Sequence, residues 1–285
     1  VPTLADKDTI KAVKLLIAAD SGSGKTGGLA SLVNELSLEL FILDYDNGLD
    51  PLFSFVKPDK RHLVHYVTLQ DKIGLGPKGP FTVKVDSFGR GLSMLNNWVD
   101  GAQSFGGIHS WGPDKVLVFD SLTMMGNAAM RAEISMRGKT DLKPRSEKGY
   151  ADPREIIGDA ANDLEGLFAA IYDDKIRCHV VLLSHIRELG TKDNPINFPS
   201  AVGATLPKVL GRYFNTLIGM KKIGTNRVFT TEDAILTTKC PVKLPLTLPI
   251  SNGLATIFKA ILSAGSITDK ESVVPTAIQE EPKAS

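Results

Sequence analysis

The sequence predicts an α/β fold: a mostly parallel central sheet flanked by helices, with short antiparallel strands near the C-terminus. Two observations carry that reading. Predominantly apolar runs of strand length recur at residues 12–18, 40–43, 116–119 and 179–183, as in strands buried on both faces. Between them lie stretches with apolar residues at helical spacing, and that alternation wraps helices around a parallel sheet.

In order, residues 1–11 are a polar lead-in. The run at 12–18 enters a Gly/Ser turn at 20–24, then a helical pattern over 26–40. The run at 40–43 ends in the acidic turn Asp44-Tyr45-Asp46-Asn47-Gly48. Residues 63–69 read as a third strand, with the β-formers Val64, Tyr66 and Thr68. Residues 71–115 form an insertion: a Gly-, Pro- and Lys-rich loop or hairpin over 71–90, a weakly helical 91–102 and a loop over 103–114. After the strand at 116–119, residues 137–153 are polar and broken by Gly and Pro, a loop pattern. Pro153 suits the start of a helix to Tyr172, with Ile156, Ala160, Leu164, Phe168 and Ile171 on one face. Residues 187–203 read as irregular, 217–222, 228–231 and 234–238 as short strands, and 254–263 as a last helix. The polar, Pro-containing 266–285 is expected to be disordered. The economical division is one domain over 12–265, without solenoid repeats.

Composition bounds the function classes. The 285 residues are 42% hydrophobic and 23% charged, ordinary for a soluble globular chain. A net charge of +1 excludes a globally basic nucleic-acid coat, so any such contact needs a local patch. Cys178 and Cys240 are the only cysteines, far apart and without metal-ligand spacing, which excludes a disulfide framework and favours a reducing cytoplasm. No apolar stretch reaches the roughly 18 residues of a membrane span, and the N-terminus has no signal-peptide pattern. A start on Val1 in place of Met suggests trimming.

The strongest motif is Ala19-Asp20-Ser21-Gly22-Ser23-Gly24-Lys25-Thr26. It fits the phosphate-loop pattern with Ala19 in place of the first Gly. Such a loop needs a strand, a small-residue turn whose N–H groups point inward, and a helix N-terminus beneath the anion. Asp20, Ser21, Gly22, Ser23 and Gly24 would then cradle the phosphates of ATP, Lys25 would reach the β and γ phosphates, and Thr26 would help hold Mg²⁺. Asp120 closes an apolar strand, where a second Mg²⁺-shell group belongs. Asp44 and Asp46 are candidates to orient an attacking water. Alternating side-chain directions send them to opposite faces, and Asp46 is favoured, with an Asx turn into Asn47-Gly48 as the alternative. His185, after Ser184 at the end of the 179–183 strand, either contacts the γ phosphate or serves as a structural hydrogen-bonder.

These segments resemble RecA recombinases in order and spacing over residues 12–260. Ile42-Leu43-Asp44-Tyr45-Asp46-Asn47-Gly48-Leu49-Asp50-Pro51 is similar to the segment after that family's phosphate-loop helix, where the carboxylate matching Asp46 is the catalytic glutamate. Phe119-Asp120-Ser121-Leu122-Thr123 looks like its Walker B strand, and Leu183-Ser184-His185-Ile186-Arg187 like its polar sensor strand, with His185 where the bacterial protein has glutamine. The phrase from Leu43 to Asp50 resembles compact phage-encoded RecA-like ATPases linked to single-strand annealing recombination. The resemblance implies a RecA-like P-loop core, ATP hydrolysis with Mg²⁺, a homo-oligomeric ring or filament, and single-stranded DNA as partner. It also implies DNA-facing loops over 131–150 and 187–208, carrying Arg131, Arg137, Lys139, Arg145, Lys148, Arg187, Lys192 and Lys208, with Tyr150 and Phe198 for stacking. Glu133, Asp141, Glu147, Glu188 and Asp193 dilute that charge. A single-strand-binding protein or annealase is a further partner class. Lys239 would act in trans on a neighbour's nucleotide, or is a plain surface lysine.

Overall fold

The computed structural model describes residues 12–77, 79–138, 152–191, 194–233 and 236–264. The expectations for the lead-in, the tail, Lys139, Arg145, Lys148, Tyr150 and Lys192 lie outside the described residues.

In chain order the elements are β1 (Lys14–Ala18), α1 (Lys25–Gly28), α2 (Ala30–Leu36), β2 (Glu39–Asp44), α3 (Asp50–Phe55), β3 (Val64–Thr68), β4 (Lys72–Gly76) and β5 (Gly79–Lys84). There follow α4 (Ser87–Asn96), β6 (Trp98–Asp100), β7 (Gln103–Gly106), β8 (Lys115–Asp120), α5 (Leu122–Met136), α6 (Pro153–Tyr172) and β9 (His179–Ser184). The chain then forms β10 (Ile186–Thr191), β11 (Asn194–Pro199), α7 (Leu206–Val209), β12 (Thr216–Ile223), β13 (Asn226–Thr230), β14 (Thr247–Pro249) and α8 (Gly253–Ala264).

An eight-stranded sheet, ordered β14-β13-β12-β1-β9-β8-β2-β3, runs through the molecule. From β12 to β3 the neighbours are parallel, and β13 and β14 close one edge antiparallel. Because side chains alternate along a strand, each central strand feeds two cores. Leu16, Phe41, Leu43, Leu117, Phe119, Val180 and Leu182 face the layer of α4, α5 and α6. Leu15, Ile17, Leu40, Ile42, Val116, Val118 and Val181 face α2, α3 and α8. This two-sided burial is why the strands read as near-continuous apolar runs.

The predicted helix from Pro153 to Tyr172 is α6: Asp152 caps it by accepting from the Arg154 N–H at 2.9 Å, and Ile156, Ala160, Leu164, Phe168 and Ile171 are buried. Trp98 and Trp111 are packing residues. With Phe105 and His65 they surround Phe41, at centroid distances from 4.3 to 5.2 Å. That cluster welds the β6–β7 hairpin of the inserted segment to the sheet. Both cysteines are free, and burial pushes the Cys178 thiol up to about 12.

Several expectations are corrected. Residues 26–40 form two short helices and the start of β2, divided at Leu29. The helix expected over 91–102 begins at Ser87 and ends at Asn96, and 98–106 is a hairpin. Arg131 belongs to helix α5, not to a loop. The helix was hidden because its buried positions include Gly126, Ala128 and Ala129, and Gly126 is pressed so close to Val202 that a Cβ would lie 2.6 Å from Val202 Cγ2. Residues 187–203 hold the ordered hairpin β10–β11, in register from Ile186↔Pro199 to Thr191↔Asn194, its alternation obscured by Gly190, Pro195 and Pro199. Of the strand expected over 234–238, residues 234 and 235 lie outside the described residues; beyond them, isolated bridges join Leu236 to Asn197 and Lys239 to Leu217.

At the end of the sheet opposite the strands' carboxyl termini, His179 is buried, with Nδ1 accepting the Val13 N–H at 3.0 Å. Burial drives its pKa from 6.5 down to about 4, so between those values the unfolded chain binds the proton and the folded chain does not. Its stabilising contribution is therefore complete above pH 6.5 and is lost as pH falls toward 4. Urea unfolding across that window is expected to show a loss of up to about 3 kcal/mol from this residue. His179→Gln should give a visibly shallower slope between pH 6.5 and 4 than the parent chain.

Candidate active site

The carboxyl ends of β1, β9, β8 and β2 lie side by side, and in open α/β sheets that crevice is where ligands bind. The order matters: β9 stands between the strand that leads into residues 19–26 and the strand that ends in Asp120. His185 follows β9, and the Ala19 N–H bonds to Ser184 O at 3.1 Å, so the loop departs from β1 tied to the end of β9.

The motif from Ala19 to Thr26 forms a strand–loop–helix unit. Gly22 and Gly24 take positive φ of 73° and 100°, a backbone region that a β-carbon disfavours. Gly24 also lacks room for a side chain, since a Cβ would lie 2.7 Å from Arg227 Cδ and 2.8 Å from Ile250 Cδ1. Arg227, on β13, donates from Nε to Gly22 O at 3.2 Å and holds the loop from outside. Ser23 Oγ is buried and has no partner among the described residues, leaving a hydroxyl able to donate to an anionic oxygen. Lys25 is 7% exposed, and its ammonium donates to Ala19 O at 3.0 Å and Asp20 O at 2.9 Å. Burial lowers its pKa, opposed by Asp120, Asp46 and Asp20.

Thr26 and Asp120 meet: Thr26 Oγ1 donates to Asp120 Oδ2 at 2.7 Å. Asp120 is 2% exposed, and burial, reinforced by Asp46 and Asp44 and opposed by the Thr26 hydrogen bond and Lys25, pushes its carboxyl up to about 7. A buried, acid-crowded oxygen pair of this kind fits a hard divalent cation such as Mg²⁺, which takes one or two protein oxygens and completes its shell with phosphates and water. Among the described residues no cluster of three or more His, Cys, Asp or Glu could hold a metal by itself.

Asp46 is brought to the same place. Its N–H and that of Tyr45 donate to Asp120 O at 3.2 and 2.6 Å. Its Oδ1 accepts from Ser121 Oγ at 2.9 Å, and its Oδ2 lies 3.7 Å from His185 Nε2, an ion-pair distance. Burial would raise its pKa, but the contacts from His185 and Ser121, with Lys25 nearby, bring it below the usual value. Asp44, in contrast, is 1% exposed and turns back to accept from Gly48 N at 3.4 Å; burial raises its pKa.

The basic residues are dispersed. Arg131 Nη1 donates to the buried Asp71 carboxylate at 3.0 Å, which also caps α4 through Asp86 N and Ser87 N. Arg137 is paired with Glu155 and Asp159 on α6. Arg187 is exposed on β10 and donates to Gly203 O at 3.2 Å; Lys208 is exposed on α7. Lys239 is exposed, its backbone paired with Leu217 on β12.

Sequence reasoning missed Ser121 and Arg227. Ser121 was legible as the residue after Asp120; Arg227 carried no signal, because only the antiparallel edge brings it to the loop.

No family model and no curated protein matches the chain. Among solved structures, the crystal structure of the RadB recombinase aligns with a TM-score of 0.44 and 14% identity, over 88% of this chain and 92% of that one. An ATPase from the type III secretion system of pathogenic bacteria aligns with a TM-score of 0.38 and 11% identity, over 75% of this chain and 54% of that one.

Asp120 supplies a direct check. Its pKa rises from 3.8 to about 7 on folding, so its relative stability is greatest below pH 3.8 and falls as pH climbs to 7. In metal-free buffer at pH 8, Asp120→Asn is expected to exceed the parent in unfolding free energy by about 2–4 kcal/mol, a gap that closes toward pH 4. Parallel pH profiles for the two proteins would contradict a buried charge at this position.

Proposed function

We propose that this chain is a Mg²⁺-dependent ATPase of RecA-like type, acting on single-stranded DNA in phage DNA recombination or replication as a homo-oligomeric ring or filament. The observation that carries the ATPase reading is the 2.7 Å contact of Thr26 with the buried Asp120 beneath a Gly-rich loop, with Asp46 anchored alongside. Thr26 and Asp120 would hold Mg²⁺, which when bound neutralises charge on the β and γ phosphates. Lys25 would exchange its loop carbonyls for phosphate oxygens, and Ser23 would donate its buried hydroxyl. Asp46 orients the water: its oxygen bonds to the γ phosphorus while the bond to the bridging oxygen breaks, the electron pair leaving with ADP. The water proton passes by way of Asp46 to the products. His185 links this carboxylate to the β10–β11 hairpin that begins at the next residue, a route from hydrolysis to a DNA grip.

The DNA reading rests on the sequence resemblance and on the exposed Arg187 and Lys208, with Lys139, Arg145, Lys148 and Lys192 as further cations. In an oligomer Lys239 would supply a trans cation to the neighbouring nucleotide. The ion pairs of Arg131 and Arg137 take two of the expected cations away from DNA, and they favour a second reading. In that reading the chain is an ATP-gated scaffold that recruits an annealase or a single-strand-binding protein and turns over slowly.

Hydrolysis of ATP with Mg²⁺, with and without single-stranded DNA at two salt concentrations, separates the two. The first reading expects DNA stimulation that weakens with salt, background rates for Lys25→Ala and a loss of about 100-fold or more for Asp46→Asn. Turnover indifferent to DNA selects the scaffold. Full activity in Lys25→Ala rejects the site.

A further inference from the structure

We propose that Ser121 is a positioning residue for Asp46, one that decides which carboxylate oxygen meets the water. The inference rests on the ATPase reading above and adds a residue to it. Ser121 is wholly buried, and its hydroxyl donates to Asp46 Oδ1 at 2.9 Å. An aspartate carboxylate has a broad, nearly two-fold torsion about its last bond, so without a fixed partner its two oxygens interchange. Here the main chain is fixed as well, because the Tyr45 and Asp46 N–H groups both bond to the carbonyl of the residue before Ser121.

Carboxylate and backbone are thus anchored on the same dipeptide, Asp120-Ser121. With one acceptor position of Oδ1 taken by the serine and the carboxylate plane fixed by that bond, Oδ2 is the oxygen with its full acceptor capacity turned to the water. His185 Nε2 flanks Oδ2 at 3.7 Å, beyond hydrogen-bond reach, so Oδ2 keeps its acceptor capacity. The clamp also answers a problem set by the sequence. Asp46 is one methylene shorter than the glutamate of the resembling family, and a shorter acid has less slack with which to find the water. A misplacement of 1 Å can cost about 100-fold in rate.

The test is a double-mutant cycle on the full chain, reading kcat, KM and ATP affinity with Mg²⁺ and single-stranded DNA present. Ser121→Ala is expected to lower kcat about 10- to 100-fold with KM and ATP affinity within about twofold. Ser121→Thr, which keeps the hydroxyl, should recover part of the loss. On an Asp46→Asn background, Ser121→Ala should cost nothing further, because the group it positions is already disabled. Retained ATP affinity reports that each variant is folded, and if Ser121→Ala fails that check, Ser121→Cys, a weaker donor, takes its place.

A wild-type kcat in the hydroxyl-free variant overturns the proposal. So does a loss of equal size with and without Asp46, or a loss confined to KM. Wild-type turnover in Asp46→Asn, or none in the parent chain, overturns the ATPase reading together with this one.

Discussion

The site depends on a carboxylate held where it is costly to hold one. Asp120 sits at the end of a strand buried on both faces, and its carboxyl is driven up to about 7 by that burial and by two acidic neighbours. One hydrogen bond from Thr26 is its direct compensation, and that bond ties the helix after the Gly-rich loop to the centre of the sheet. The carbonyl of the same residue receives two N–H groups from the acidic turn after β2. A single residue therefore joins the loop, the central strand and the turn that carries Asp46. Lys25 is the balancing charge, and the remaining excess of acid is what a divalent cation would offset.

Strand order gives this arrangement its reach. With β9 between β1 and β8, the residue after β9 is next to both the loop and the acidic cluster. His185 occupies that place, facing Asp46, and the chain goes straight on into a hairpin that projects from the sheet end. The opposite edge acts on the loop by another route: Arg227 and Ile250 cover Gly24, so the antiparallel strands near the C-terminus buttress the Gly-rich loop. The Phe41 aromatic cluster performs a similar task for the inserted segment, fixing it to β2 and β3.

The central parallel strands and α6 were legible because their burial leaves a simple pattern: near-continuous apolar runs in one case, apolar residues three or four apart in the other. The loop from Ala19 to Thr26 and the strand-ending Asp120 stood out because a Gly-rich turn between a buried strand and a helix, and an acid closing an apolar run, are local patterns, and the fold brings the two together through Thr26. α5 was not, since beside Leu122 and Met125 its packing face is built from Gly126, Ala128 and Ala129, whose small size makes close approach possible and leaves periodicity faint. The β10–β11 hairpin was read as irregular because prolines and a glycine interrupt its alternation, while its order comes from cross-strand pairing. Arg131 and Arg137 looked like free cations because the partners that hold them most closely, Asp71, Glu155 and Asp159, lie 18 or more residues away along the chain, while the one local partner, Glu133, meets Arg137 at 4.0 Å. Ion pairing at that range is a property of the fold and leaves no local signature.

The central claim is that Lys25, Thr26 and Asp120 form one site for a nucleoside triphosphate with its Mg²⁺. Calorimetric titration of ATP into the full chain, with Mg²⁺ and again with EDTA, tests it most directly. The account predicts one saturable site per chain whose affinity falls sharply when Mg²⁺ is removed. It also predicts that Asp120→Asn weakens binding in Mg²⁺ and leaves the EDTA titration unchanged. Absence of ATP binding, or binding equally strong with EDTA and in Asp120→Asn, would contradict it.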